Sequence, residues 1–223
     1  MIRDPAGLAL PPREEALAGM ASLLTEAPWT VDAGDLARMR AAGLSDEGIV
    51  QAVTIAAIFN HLTRAADATG LRFDYATELP PLAVDRAREP VPRPPPAGWP
   101  APEPRLPLSL RPATAAAVDR WAAYVRAPSP ALPARDRAVL GRAAAFATCD
   151  AAGVSTWGDA TPRSPREAAL AAFAEKLTVT PWRMSEDDLA PLRGEGLDDR
   201  GVLDVVGVVG FQNMSSRLRL ALG

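Results

Sequence analysis

Apolar residues recur at helical spacing along most of the chain. Leu17, Met20, Ala21 and Leu24 form one stripe behind Pro12, a residue suited to the first turn of a helix. A second segment starts near Asp32, carries an acid three residues on at Asp35, and stops at Gly43. A capping-box start and a left-handed C-terminal residue predict that pattern. A third, long segment follows the cap Ser45 and carries Ile49, Val53, Ala56, Ala57 and Asn60. The same punctuation returns at Pro165, at Ser185 with Asp188, at Gly196 and at Asp198. From Val202 to Phe211 the last segment is apolar on almost every face, which predicts a helix buried on almost every side. Residues 114–126 (Thr114 to Val118, Trp121, Ala122, Val125) read as a further amphipathic helix. An alanine-rich helix is expected from about Ala134 to Ala152, after the breaks at Pro128, Pro130 and Pro133. The predicted class is all-α.

The recurrence is literal. With an offset of 153 positions, residues 12–70 align with 165–223 without a gap, and 24 of the 59 positions are identical. The matches include Leu24/Leu177, Thr25/Thr178, Pro28/Pro181, Trp29/Trp182, Asn60/Asn213 and Arg64/Arg217. Identity of this extent over an ungapped segment implies a tandem duplicated three-helix unit. Between the copies the material differs: residues 80–112 hold 12 of the chain's 23 prolines. Proline removes an amide donor and disfavours helix before it, so this stretch reads as an extended, partly polyproline strap. Leu106, Leu108 and Leu110 would pin its end to a core. The organisation expected is a first repeat over 1–73, a strap over 74–112 and a larger unit over 113–223, all in one compact fold.

Composition narrows the chemistry. A net charge of −3, with 24 basic against 27 acidic residues and no basic cluster, argues against a nucleic-acid partner. No run of 18 apolar residues is present and the first residues start no apolar stretch, so neither a membrane span nor a signal peptide is expected. The expected location is cytoplasmic. One cysteine, Cys149, and one histidine, His61, rule out an intrachain disulfide and argue against a zinc site and a metal cofactor.

The phrase Phe173-Ala174-Glu175-Lys176-Leu177-Thr178 and the ending from Asp187 through Leu197-Asp198-Asp199 to Phe211-Gln212-Asn213 and Arg217 resemble a known pattern. So does Phe59-Asn60-His61 with Arg64-Ala65-Ala66-Asp67 in the first copy. They resemble the helical C-terminal half of the alkylhydroperoxidase AhpD-like (carboxymuconolactone decarboxylase) family. The resemblance implies an all-helical bundle that assembles through its long helices. It also implies a Cys-x-x-Cys-x-x-x-His motif upstream, with a glutamate 12 or 13 residues before it. Asp136 precedes Cys149 by 13 residues, which matches the spacing of that acid. The rest of the motif is gone: with Cys149 as the first cysteine, Ala152 and Thr156 take the other positions, and with Cys149 as the second, Phe146 and Gly153 do.

Each candidate residue has a plain reading beside a functional one. Cys149 is either a small buried hydrophobe or a reactive thiol. His61 is a packed histidine or a proton shuttle, and the second copy has Met214 in its place. Asn60 and Asn213 brace the contact between copies or touch a ligand, and Trp157 packs or lines a pocket. Arg64 and Arg217 would by default form salt bridges with acids of another helix. Trp29 and Trp182, shared by both copies, read as packing. Three functions compete: a non-catalytic family member binding a small molecule or serving a structural role, a cofactor-independent lyase or isomerase using His61 and Asp136, and a one-cysteine peroxidase using Cys149. A homodimer or homotrimer through the helices at 46–69 and 199–222 is expected.

Overall fold

The computed structural model describes residues 9–71, 86–101, 103 and 105–223. Among them the regular structure is wholly helical. The first repeat folds as α1 (Pro12–Glu26), a 3-10 turn at Pro28–Thr30, α2 (Ala33–Ala41) and α3 (Asp46–Thr69). Then come α4 (Pro112–Arg126), α5 (Ala134–Ala147) and α6 (Ala151–Trp157). The second repeat follows as α7 (Pro165–Val179), a 3-10 turn at Pro181–Arg183, α8 (Ala190–Gly194) and α9 (Asp199–Leu222). Helices α1 and α7, and likewise α3 and α9, start 153 residues apart.

The caps explain the boundaries. Ser45 and Asp198 accept from the backbone amides of Gly48 and Gly201, which frees α3 and α9 to start where they do. Asp32 and Asp35 form a reciprocal capping box at the start of α2. Ser185 and Asp188 form the same box, but the segment after it differs from a single helix. It is a 3-10 turn at Glu186–Leu189 followed by the short α8, because Pro191 supplies no amide donor at the position where α2 has Arg38.

A second departure from the sequence pattern lies between Ala134 and Ala152. The expected single helix breaks at Cys149, whose φ of +57° is left-handed. The amide of Asp150 bonds back to the carbonyl of Ala145, ending α5, and the Asp150 side chain caps α6 through Gly153. A left-handed cap is usually glycine, so nothing local announces this break.

Helix α9 runs through the middle, packed by α3, α4, α5 and α7. Val205, Val206, Val208, Val209 and Phe211 are all buried, so most of the apolar surface of α9 is covered within one chain, Leu203 alone of its large apolar residues standing exposed. Helix α3 is covered less completely: Ile55, Phe59 and Leu62 are 49%, 60% and 50% exposed on one stripe. No single helix among the described residues is long and apolar enough to cross a membrane. The end of the strap is pinned by buried Leu106 and by amides of Arg105 and Leu106 that donate to the carbonyl of Leu222, whereas Leu108 is half-buried and Leu110, also expected to pin it, is exposed. Its residues 74–85, 102 and 104 lie outside the described residues.

Candidate functional site

The three sequence candidates for catalysis occupy three different places. Asp136 sits in the first turn of α5 and accepts from Nε of Arg166 at 2.8 Å. Cys149 follows the other end of that helix, about 20 Å away at the rise of an α-helix. Its side chain is buried, and desolvation pushes its thiol up to about 11 despite nearby Arg93. A thiol held neutral there is a poor nucleophile. His61 packs edge-on against Trp121 and abuts Gly210, where an added Cβ would lie 2.2 Å from its Nδ1. Burial lowers the basicity of His61, with the Gly210 backbone opposing. Among the described residues no group of three or more His, Cys, Asp or Glu side chains could hold a metal ion.

Trp157 is also a packing residue. Its ring lies on Gly141, where a Cβ would come within 2.1 Å, and its Nε1 donates to Gln212 at 2.7 Å. Gln212 belongs to a buried cluster in which Asp150 accepts from Ser216 at 2.6 Å and from Arg219 at 2.6 Å.

Asn60 and Asn213 are different, because they lead to a cavity. Each donates to the threonine that closes the first helix of its own repeat: Asn60 to Thr25 at 3.0 Å, Asn213 to Thr178 at 2.8 Å. Each accepts from the arginine one turn on, Arg64 at 2.7 Å and Arg217 at 2.8 Å. The arginines then cross to the other repeat. Arg64 donates to the carbonyl of Thr178 at 3.0 Å, and Arg217 to the carbonyl of Leu24 at 2.7 Å. These carbonyls belong to the last turns of α7 and α1, which have no intrahelical donor left for them.

The expected salt bridges are therefore replaced. Neither Arg64 nor Arg217 meets a carboxylate at ion-pair distance among the described residues. Both are almost fully buried. Desolvation brings Arg64 down to about 10, with Asp67 opposing, and holds Arg217 well below the ordinary range, with Arg64 adding to the fall. Nε of Arg64 and Nε1 of Trp182 are buried donors with no hydrogen-bond partner among the described residues.

These two arginines line a cavity of about 140 Å³ between the repeats. Its walls come in pairs, Thr25 with Thr178, Pro28 with Pro181 and Trp29 with Trp182, and the strap closes it with Arg88, Pro90, Val91 and Arg93. Arg183 holds the strap there by donating to the carbonyls of Arg86, Ala87 and Arg88. The other charges of the wall are matched, Arg88 by Glu26 at 2.5 Å and Arg93 by Glu175 at 2.8 Å. A wider groove of about 520 Å³ between α1 and α2 is open to solvent, and its Asp35 and Arg38 pair with each other.

Sequence reasoning missed this site. The signal available was the coincidence of Thr, Pro, Trp, Asn and Arg among the identities between the repeats, which packing alone does not require of an arginine. No family model, curated protein or solved structure matches the chain.

Proposed function

We propose that the chain is a small-molecule-binding member of the AhpD-like type, built by duplication of a three-helix unit and without dithiol peroxidase chemistry. The observation that carries this reading is the cavity between the repeats, into which both units turn the same set of residues. A cavity of about 150 Å³ holds a benzene-sized molecule, so this one suits a single ring or a short branched chain. The separation of Cys149, Asp136 and His61, and the neutral Cys149 thiol, weigh against the one-cysteine peroxidase and against a lyase relying on those groups. Self-association is part of the reading: the stripe Ile55, Phe59 and Leu62 on α3 is the face proposed to meet a second copy.

The reading is tested by melting the wild type and a Val91→Trp variant with a panel of neutral and charged single-ring compounds. Val91 lies at the exposed edge of the cavity, so the larger ring fills space without disturbing the core. Ligands should raise the midpoint of the wild type and leave the variant unchanged. No response in the wild type, or an equal response in both, contradicts the proposal.

A further inference from the structure

The cavity holds a feature its apolar walls do not need. Arg64 and Arg217 bring two guanidinium groups into one buried place, and among the described residues no carboxylate lies at ion-pair distance from either, Asp67 acting on Arg64 only from farther off. Burying a charge without a contacting counter-ion is strongly unfavourable. Part of that cost is returned by the helix ends: each arginine caps the C-terminus of a helix, and a helix end carries roughly half a negative charge. The two half charges fall short of the two full ones, and Asp67, which also faces Arg86, does not line the cavity, so a positive field remains there. Glu26 does not cancel it, because it is matched by Arg88 at the rim.

Donors are left over as well as charge. Among the described residues the Nε–H of Arg64 and the Nε1–H of Trp182 have no acceptor, and the second terminal nitrogen of Arg217 makes only a 3.4 Å contact with the Thr25 carbonyl. Buried donors are seldom orphaned in a folded protein. Neither nitrogen can accept, so the group they await is an acceptor. Trp29, Trp182, Pro28, Pro181 and Val179 supply apolar surface on the remaining walls.

From the two guanidinium groups without a contacting carboxylate, the orphaned donors and the apolar walls, we infer that the cavity binds a small organic monoanion, with its oxyanion at Arg64 and Arg217 and its apolar body against the tryptophans. This rests on the reading of the cavity as a ligand site. The size admits one ring bearing one carboxylate-type group. A larger dianion would need both more room and a second set of donors.

The probe pair is benzoate and benzamide, equal in shape and different in charge. Binding is measured by calorimetry on the full chain, wild type and Arg64→Gln. Benzoate should bind the wild type in the micromolar to millimolar range expected for a ligand of this size, and at least about tenfold more tightly than benzamide. Arg64→Gln should erase that preference. The wild-type comparison stands by itself if the variant does not fold. Equal binding of the two probes overturns the monoanion inference and leaves the ligand site intact. Binding of inorganic phosphate in preference to benzoate also overturns it, since the apolar walls would then play no part. Binding of none of the three overturns the inference and the ligand-site reading together.

Discussion

Arg64 of the first repeat donates to the carbonyl of Thr178 in the second at 3.0 Å, across 114 residues of sequence. Arg217 makes the return contact with Leu24 at 2.7 Å. Each repeat thus closes the first helix of the other. Because an arginine offers five donors in a fixed fork, one side chain can hold its own asparagine, the foreign carbonyl and still keep a hydrogen free. The brace and the candidate ligand site are the same pair of residues.

The cysteine offers a first check. Cys149 is buried and its thiol is raised to about 11, so it should resist Ellman's reagent in the native protein and react once guanidinium unfolds the chain. Reduction of an alkyl hydroperoxide with a dithiol donor should not exceed the uncatalysed rate. Rapid native labelling, or turnover abolished by Cys149→Ser, would restore the one-cysteine peroxidase.

His61 makes stability depend on pH in a defined direction. Its folded basicity lies below the ordinary value of 6.5. Below pH 6.5 the unfolded chain therefore takes up a proton that the folded chain resists, and stability falls as the pH drops through that window. His61→Met places at this position the residue the second repeat has at Met214. The variant should lose less stability than the wild type between about pH 6.5 and 5. Parallel curves for the two proteins would show that His61 titrates normally.

Gly141 is required by Trp157. A Cβ at that position would lie 2.1 Å from the ring, whose Nε1 is fixed by Gln212. Gly141→Ala should cost about 2 kcal/mol through overpacking, although alanine favours helix. Urea unfolding measures the difference, and a more stable variant would mean that Trp157 moves freely.

Much of the fold was legible because it is written locally. Ser45, Asp198, Pro12 and Pro165 start helices through contacts within a single turn, and the 153-residue offset announced the paired elements. The break at Cys149 was not legible, since it depends on a left-handed cysteine where glycine is usual. The cavity was not legible either. Arg64 and Arg217 look like surface ion-pair residues until their partners, backbone carbonyls 114 and 193 residues away, are brought beside them. Trp29 and Trp182 read as packing because both repeats have them, yet they are walls of the cavity.

The long helices also divided differently than their sequences suggested. Helix α9 is covered within the chain except at exposed Leu203, and the exposed stripe is on α3. Light scattering should give a mass at least twice the single-chain 23.5 kDa, reduced to one chain by Phe59→Asp. A monomer at micromolar concentration would show that the α3 stripe has no partner copy.

The central claim is that a ligand sits between the repeats, against Arg64, Arg217 and the paired tryptophans. Indole N–H resonances report on this directly, because the chain has five tryptophans and only Trp29 and Trp182 line the cavity. During a titration with benzoate, the Trp182 signal should move most, as its Nε1–H, unpartnered among the described residues, gains an acceptor, and Trp29 should move with it. Trp121 and Trp157 should stay in place. Movement confined to Trp121 or Trp157, or no movement at saturating benzoate, would contradict the account.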